Sequence, residues 1–173
     1  MWKLWKEILY WQKFWNKNKL IMSFRKEKKF RLSNYDLILL KKILIQAGLK
    51  TLYPSRIIFS EYLDTDNLQM FSDSEEGVLP RKKIRIRWYD NSKEKNLETK
   101  ISSTEGRFKL SKKYLNNYNL KNMLDPVYGK IYPSIIIKYL REYYFLNNLR
   151  ITIDTKILYN DVRKNGTSSA QDR

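Results

Sequence analysis

The 173-residue chain has no cysteine and no histidine, and only 18 acidic residues stand against 35 Lys and Arg. Without cysteine there is no disulfide, no thiolate nucleophile and no zinc-thiolate site. Without histidine there is no Ser-His-Asp triad, no imidazole base and no histidine metal ligand. Any catalysis is restricted to carboxylates, Lys, Arg, Tyr and hard, oxygen-bound metals such as Mg or Mn. No apolar run approaches the roughly 18 residues that a membrane span needs. The N-terminus also lacks the pattern of a signal peptide, so the expected location is cytoplasmic. What the chain does have is a formal charge of +17. That excess calls for an anionic partner: phosphate, nucleic acid or an acidic membrane surface. With 42% apolar and 14% aromatic residues, it should fold as one globular domain rather than remain disordered.

The charge is most ordered in Arg81-Lys82-Lys83-Ile84-Arg85-Ile86-Arg87-Trp88-Tyr89. At strand period Arg81, Lys83, Arg85 and Arg87 share one face, and Lys82, Ile84, Ile86 and Trp88 the other. Like charges then repeat about every 6.6 Å, and each pair repels by about 2.5 kcal/mol at an effective dielectric of about 20. A solvated edge strand tolerates such a row; a polyanion lying along it makes use of it.

Taken in order, residues 1–21 place Leu4, Ile8, Trp11 and Trp15 on one helical stripe, with Lys3, Lys6, Lys13 and Lys17 opposite. Trp with Lys on an amphipathic helix suits a membrane interface. The same helix could pack on the domain, or Met22 could be the true start. Residues 25–32 are expected as a strand with Glu27 and Lys29 on one face. Ser33 to Asp36 forms a capping box ahead of a helix that stops at Gly48. After Pro54 a strand is expected over 56–63, and Asp64 to Asn67 can cap a short helix through Met70 and Phe71. A polar turn from Tyr89 to Asn96 should bring Leu97 to Ser102 back as the hairpin partner of the cationic strand, with Glu98 and Lys100 on one face. Gly106 to Lys113 is a further strand or basic loop, and 114–130 is helical or irregular. From Pro133, a strand over 135–145 holds Tyr139, Arg141 and Tyr143 on one face. It turns at Asn147-Asn148 into a strand beginning at Arg150. Residues 159–173 are expected as a disordered tail.

Strands with one charged and one apolar face, and helices to cover the apolar side, imply an antiparallel sheet curled around a charged interior. Nucleic-acid sheets instead interleave exposed aromatics with their cations, and Trp88 falls opposite the arginines. Nucleic acid is therefore the less favoured partner.

Tyr62-Leu63-Asp64-Thr65, Lys83 to Tyr89, Leu97-Glu98-Thr99-Lys100, Tyr139-Leu140-Arg141-Glu142-Tyr143 and Arg150 to Asp154 occur in this order. Together with Glu27-Lys28-Lys29-Phe30, this series resembles the VTC (vacuolar transporter chaperone) domain. That family is the polyphosphate polymerase branch of the CYTH-like, or triphosphate tunnel, superfamily. The resemblance spans about residues 22–158 and implies an α+β fold, an antiparallel β-tunnel with flanking helices. It further implies transfer of the γ-phosphoryl group of ATP to polyphosphate with a divalent metal, Mn or Mg. By matching motif, Arg85, Arg87, Lys100, Arg141 and Arg150 would be the catalytic phosphate-gripping residues. Lys29, Lys83 and Arg81 would add phosphate contacts, and Glu27 and Glu98 would be metal ligands. Each acidic residue, Asp154 included, has an alternative reading as a charge-balancing partner for nearby cations.

Beyond the Arg150 strand nothing matches the family's later strands, so the tunnel is expected to be incomplete. Three functions follow: a polyphosphate polymerase-like domain, a triphosphatase of the same fold, or a catalytically impaired polyphosphate- or nucleotide-binding domain. Residues 1–21 would supply contact with a membrane surface.

Overall fold

The computed structural model describes residues 27–114, 123–163 and 166–169. The expected amphipathic helix over 1–21 and much of the 114–130 segment lie outside the described residues. Helix α1 spans Asn34–Gln46. Its N-cap forms at Ser33 as expected: Asp36 N–H donates to Ser33 Oγ at 3.1 Å, and the Ser33 hydroxyl donates to Asp36 Oδ2 at 2.7 Å. At the other end Gly48 takes φ +92°. Leu49 N–H then reaches Leu44 O and Gly48 N–H reaches Ile45 O, so a left-handed residue ends the helix. No residue of α1 is buried, and Ile38 and Ile45 are 70% and 65% exposed. Its tie to the sheet is Lys41 donating to Glu142 at 2.7 Å.

Eight strands form one antiparallel sheet: β1 Lys50–Asp64, β2 Arg81–Tyr89, β3 Lys95–Ser103, β4 Gly106–Tyr114, β5 Met123–Asp125, β6 Gly129–Leu146, β7 Leu149–Asp161 and β8 Gly166–Ser169. Their order is β4-β3-β2-β1-β6-β7-β8, and β5 pairs with β6. The α+β antiparallel fold is thus present, but among the described residues β4 and β8 remain edges and no closed tunnel forms.

Three expectations change. Residues 27–32 form no strand. The face opposite Glu27 and Lys29 offers Phe30 and Leu32 as its apolar residues, and at 80% and 42% exposed they stay at the surface. Second, β1 and β6 run through Pro54 and Pro133 instead of starting after them. Register shifts beside each proline absorb the missing N–H. Third, the segment expected as a disordered tail carries the end of β7 and all of β8.

Helix α2, Gln69–Glu75, is seeded as expected by the acidic cap. The buried Asp64 carboxylate accepts from Met70 N–H at 2.9 Å and Phe71 N–H at 3.0 Å. Beneath it Leu63, Met70, Ile84 and Ile131 form a small core. Beside this core, on the apolar face of β2, lies a buried ion pair, Lys82 Nζ to Asp125 at 3.3 Å. Asp125 also accepts from the N–H groups of Val127 and Tyr128.

Candidate anion-binding face

Antiparallel partners point to the same side of a sheet, so the register decides which side chains meet. Arg85 faces Tyr62 on β1 and Glu98 on β3; Arg87 faces Ser60 and Asn96; Lys83 faces Lys100. On the next strand Lys100 faces Lys109. Lys83, Lys100 and Lys109 therefore stand in a row across three strands, about 5 Å apart at the backbone. Like charges placed directly opposite destabilise a sheet. The same face continues through β1 to β6 and β7, where Tyr139, Arg141 and Tyr143 stand beside Thr152 and Asp154.

Arg85 sits at the centre, 8% exposed, with its donors directed by neighbours. Nε and one terminal nitrogen donate to Glu98 Oε2 at 2.8 and 2.6 Å, and the other terminal nitrogen donates to Tyr62 Oη at 3.1 Å. Glu98 also accepts Lys109 Nζ on Oε1 at 2.7 Å, and Arg87 lies 3.9 Å from Oε2. Arg87 itself donates to Ser60 Oγ at 3.3 Å and to Tyr139 Oη at 3.1 Å. Three cations thus converge on one carboxylate. Burial alone would raise the Glu98 carboxyl; the Lys109 hydrogen bond and the charge of Arg85 and Arg87 override it and hold Glu98 down to about 2.

Lys100 makes no ion pair of its own among the described residues. Desolvation by its neighbours in the face, together with the charges of Arg85 and Arg87, brings its ammonium down to about 8. Such a depressed cation in a positive field is a group that an incoming anion recharges.

Of the residues expected at a site, Arg81, Lys83, Arg85, Arg87, Lys100 and Glu98 are brought together on β2 and β3. Arg141 and Arg150 lie farther along the same face. Arg141 forms a two-pronged pair with Asp154 at 2.6 Å and 2.6 Å and lies over the Tyr139 ring, while Arg150 is exposed over the Tyr143 ring. Lys29 and Glu27 are not brought in: both are exposed on the unpaired 27–32 segment, 3.7 Å from each other. Lys109 was not among the expected site residues, although its alternation with Arg107 on a strand returning through Gly106 marks its face.

The residues do not fit a resident divalent metal. Both oxygens of Glu98 are committed to cations, Glu27 is remote, and no cluster of three acidic side chains occurs among the described residues. For Glu98 and Asp154 the charge-balancing reading matches the geometry.

On the opposite side of the sheet Phe59 and Trp88 stack at 5.3 Å, with Lys138 over the Phe59 ring and Lys95 over the Trp88 ring. Lysines already occupy ring faces that a base would need.

A family model of the VTC domain matches residues 24–131. No curated protein matches the chain. Among solved structures, one described as a "putative adenylate cyclase" from Vibrio parahaemolyticus aligns at 16% identity with a TM-score of 0.46. The alignment covers 72% of this chain and 64% of that one, so this chain spans less than two thirds of that structure's length.

Proposed function

Because the chain belongs to the VTC domain family, we propose that its cationic face binds ATP and polyphosphate and acts as a polyphosphate polymerase-like domain. In the reaction a terminal oxygen of the polyphosphate chain attacks the γ-phosphorus of ATP. The bond from the γ-phosphorus to the β,γ-bridging oxygen breaks, and ADP leaves with that oxygen. Such a transfer needs positioning and charge neutralisation more than covalent chemistry. Arg85 and Arg87, held by Glu98, Tyr62, Ser60 and Tyr139, supply oriented guanidinium forks for phosphate oxygens. Lys83, Lys100 and Lys109 extend the track, and Arg141 and Arg150 continue it across β6 and β7. The observation that carries this reading is the lysine row set beside two arginines with a single carboxylate among them. No step is routed through a protein-bound metal, since no acidic set among the described residues fits one.

A second reading, a binding domain without turnover, is favoured by the open edges β4 and β8, which leave the face accessible to bulk water. A triphosphatase would share the face, with water as the phosphoryl acceptor. Incubating the protein with ATP and Mn or Mg, then resolving polyphosphate and free phosphate on gels, separates the three. Chains that lengthen with wild type and not with an R85A/R87A variant support the polymerase. Free phosphate without chains supports the triphosphatase. Binding of polyphosphate with neither product would leave the binding domain and overturn the enzyme.

A further inference from the structure

Glu98 is 5% exposed in the middle of a face otherwise suited to anions. Its carboxylate takes the two-pronged approach of Arg85 and the ammonium of Lys109 at once, with Arg87 just beyond at 3.9 Å. Both Arg85 nitrogens converge on the one oxygen Oε2, and charged donors so directed are ones that a phosphate oxygen would use. The carboxylate therefore does two things. It keeps three mutually repelling cations together in the empty protein, and it fills the position in which their donors converge.

We propose that Glu98 is a resident competitor: a phosphate group of the substrate binds by taking Arg85 and Lys109 from it. The inference rests on the phosphate-binding reading above and adds a specificity device to it. Lys83 and Lys100 face each other with no carboxylate between them, so an anion meets no competitor there. A chain of phosphates anchored at these lysines presents its next group to Glu98 at high local concentration. A lone phosphate must displace the carboxylate unaided. Glu98 is thus a positioning residue that selects for linear polyphosphates.

The test is calorimetric titration of the full chain with tripolyphosphate at fixed ionic strength. Glu98→Gln keeps the shape and removes the competing charge. Tripolyphosphate affinity should rise about tenfold or more, the scale of a charge-assisted hydrogen bond regained by the ligand. Glu98→Asp keeps the charge but shortens the reach, and should also bind more tightly than wild type. Unchanged or weaker binding by folded E98Q would make Glu98 a scaffold and overturn the proposal. So would tighter binding by E98Q with wild-type affinity in E98D, because the carboxylate would then act through its field and not by contact. Should neither variant fold, the Arg85 Nε–H resonance of the 15N-labelled wild type decides: tripolyphosphate should shift it, and binding that leaves it unmoved overturns the exchange. Failure of the wild type to bind tripolyphosphate at all would instead sink the reading on which the proposal rests.

Discussion

Two arginines on one face of the sheet have opposite charge surroundings. Arg141 on β6 has a carboxylate to itself, gripped at both prongs by Asp154 across the β6–β7 ladder. Arg85 on β2 shares Glu98 with Lys109 and Arg87, while Lys83 and Lys100 on the neighbouring ladder make no ion pair of their own among the described residues. Residue type does not separate the two places; the ratio of cations to carboxylates does. Where the ratio is one, the pair is a cross-strand tie, and where it is three or more, the surplus positive potential is available to a ligand.

The sharpest break of that comparison is removal of each arginine in turn. The R85A/R87A variant should lose tripolyphosphate affinity by about a hundredfold or more, from two charged donors at about 1.5–3 kcal/mol each. R141A should lose about fivefold, because its guanidinium is already neutralised and its pair is partly solvated. Isothermal calorimetry of both variants against wild type checks the ranking. Equal losses would mean that the β6–β7 arginine is as available as the β2 pair.

A third ion pair, Lys82 with Asp125, sharpens the comparison from the other side of the sheet. Both side chains are less than 10% exposed, beside the apolar core. Asp125→Asn should lower unfolding stability by about 3 kcal/mol, the scale for removing one member of a buried ion pair. Tripolyphosphate affinity of the folded fraction should not change, since Lys82 faces away from the ligand. Urea denaturation read beside calorimetry tests both halves, and a stable variant with impaired binding would contradict the assignment of faces.

The register of the β2–β3 hairpin was legible because Lys83 to Trp88 alternates strictly, and a one-residue slip would carry the cations to the core side and Ile84 and Ile86 to the charged side. The helix ahead of Gly48 was legible from Ser33 and Asp36 for the same local reason. By contrast, Glu27 and Lys29 alternate just as regularly, but no apolar partner pins their segment, so the pattern produced no strand. Lys82 with Asp125 spans 43 positions and Arg87 with Tyr139 spans 52. No local periodicity encodes such meetings; they follow only once β1 is known to lie between β2 and β6. Lys109 was within reach, because the turn before Gly106 sets β4 against β3 and puts Lys109 opposite Lys100.

Lys100 gives the smallest and most specific effect. Its ammonium, at about 8 in the free protein, faces Lys83, Lys109, Arg85, Arg87 and Glu98. A bound anion favours the charged form, so the value rises in the complex. Binding therefore carries a proton-dependent part that is full below about pH 8 and fades as the pH climbs through the complexed value. Burial pushes Tyr139 and Tyr143 upward, and the arginines stay charged throughout. Tripolyphosphate affinity should accordingly fall about fivefold between pH 7.5 and 9.5, about the loss of one charged contact. Lys100→Arg should flatten this profile while keeping the affinity found at pH 7.5. If the fall persists in K100R, the proton-dependent part of binding does not come from Lys100, and its placement at the ligand is overturned.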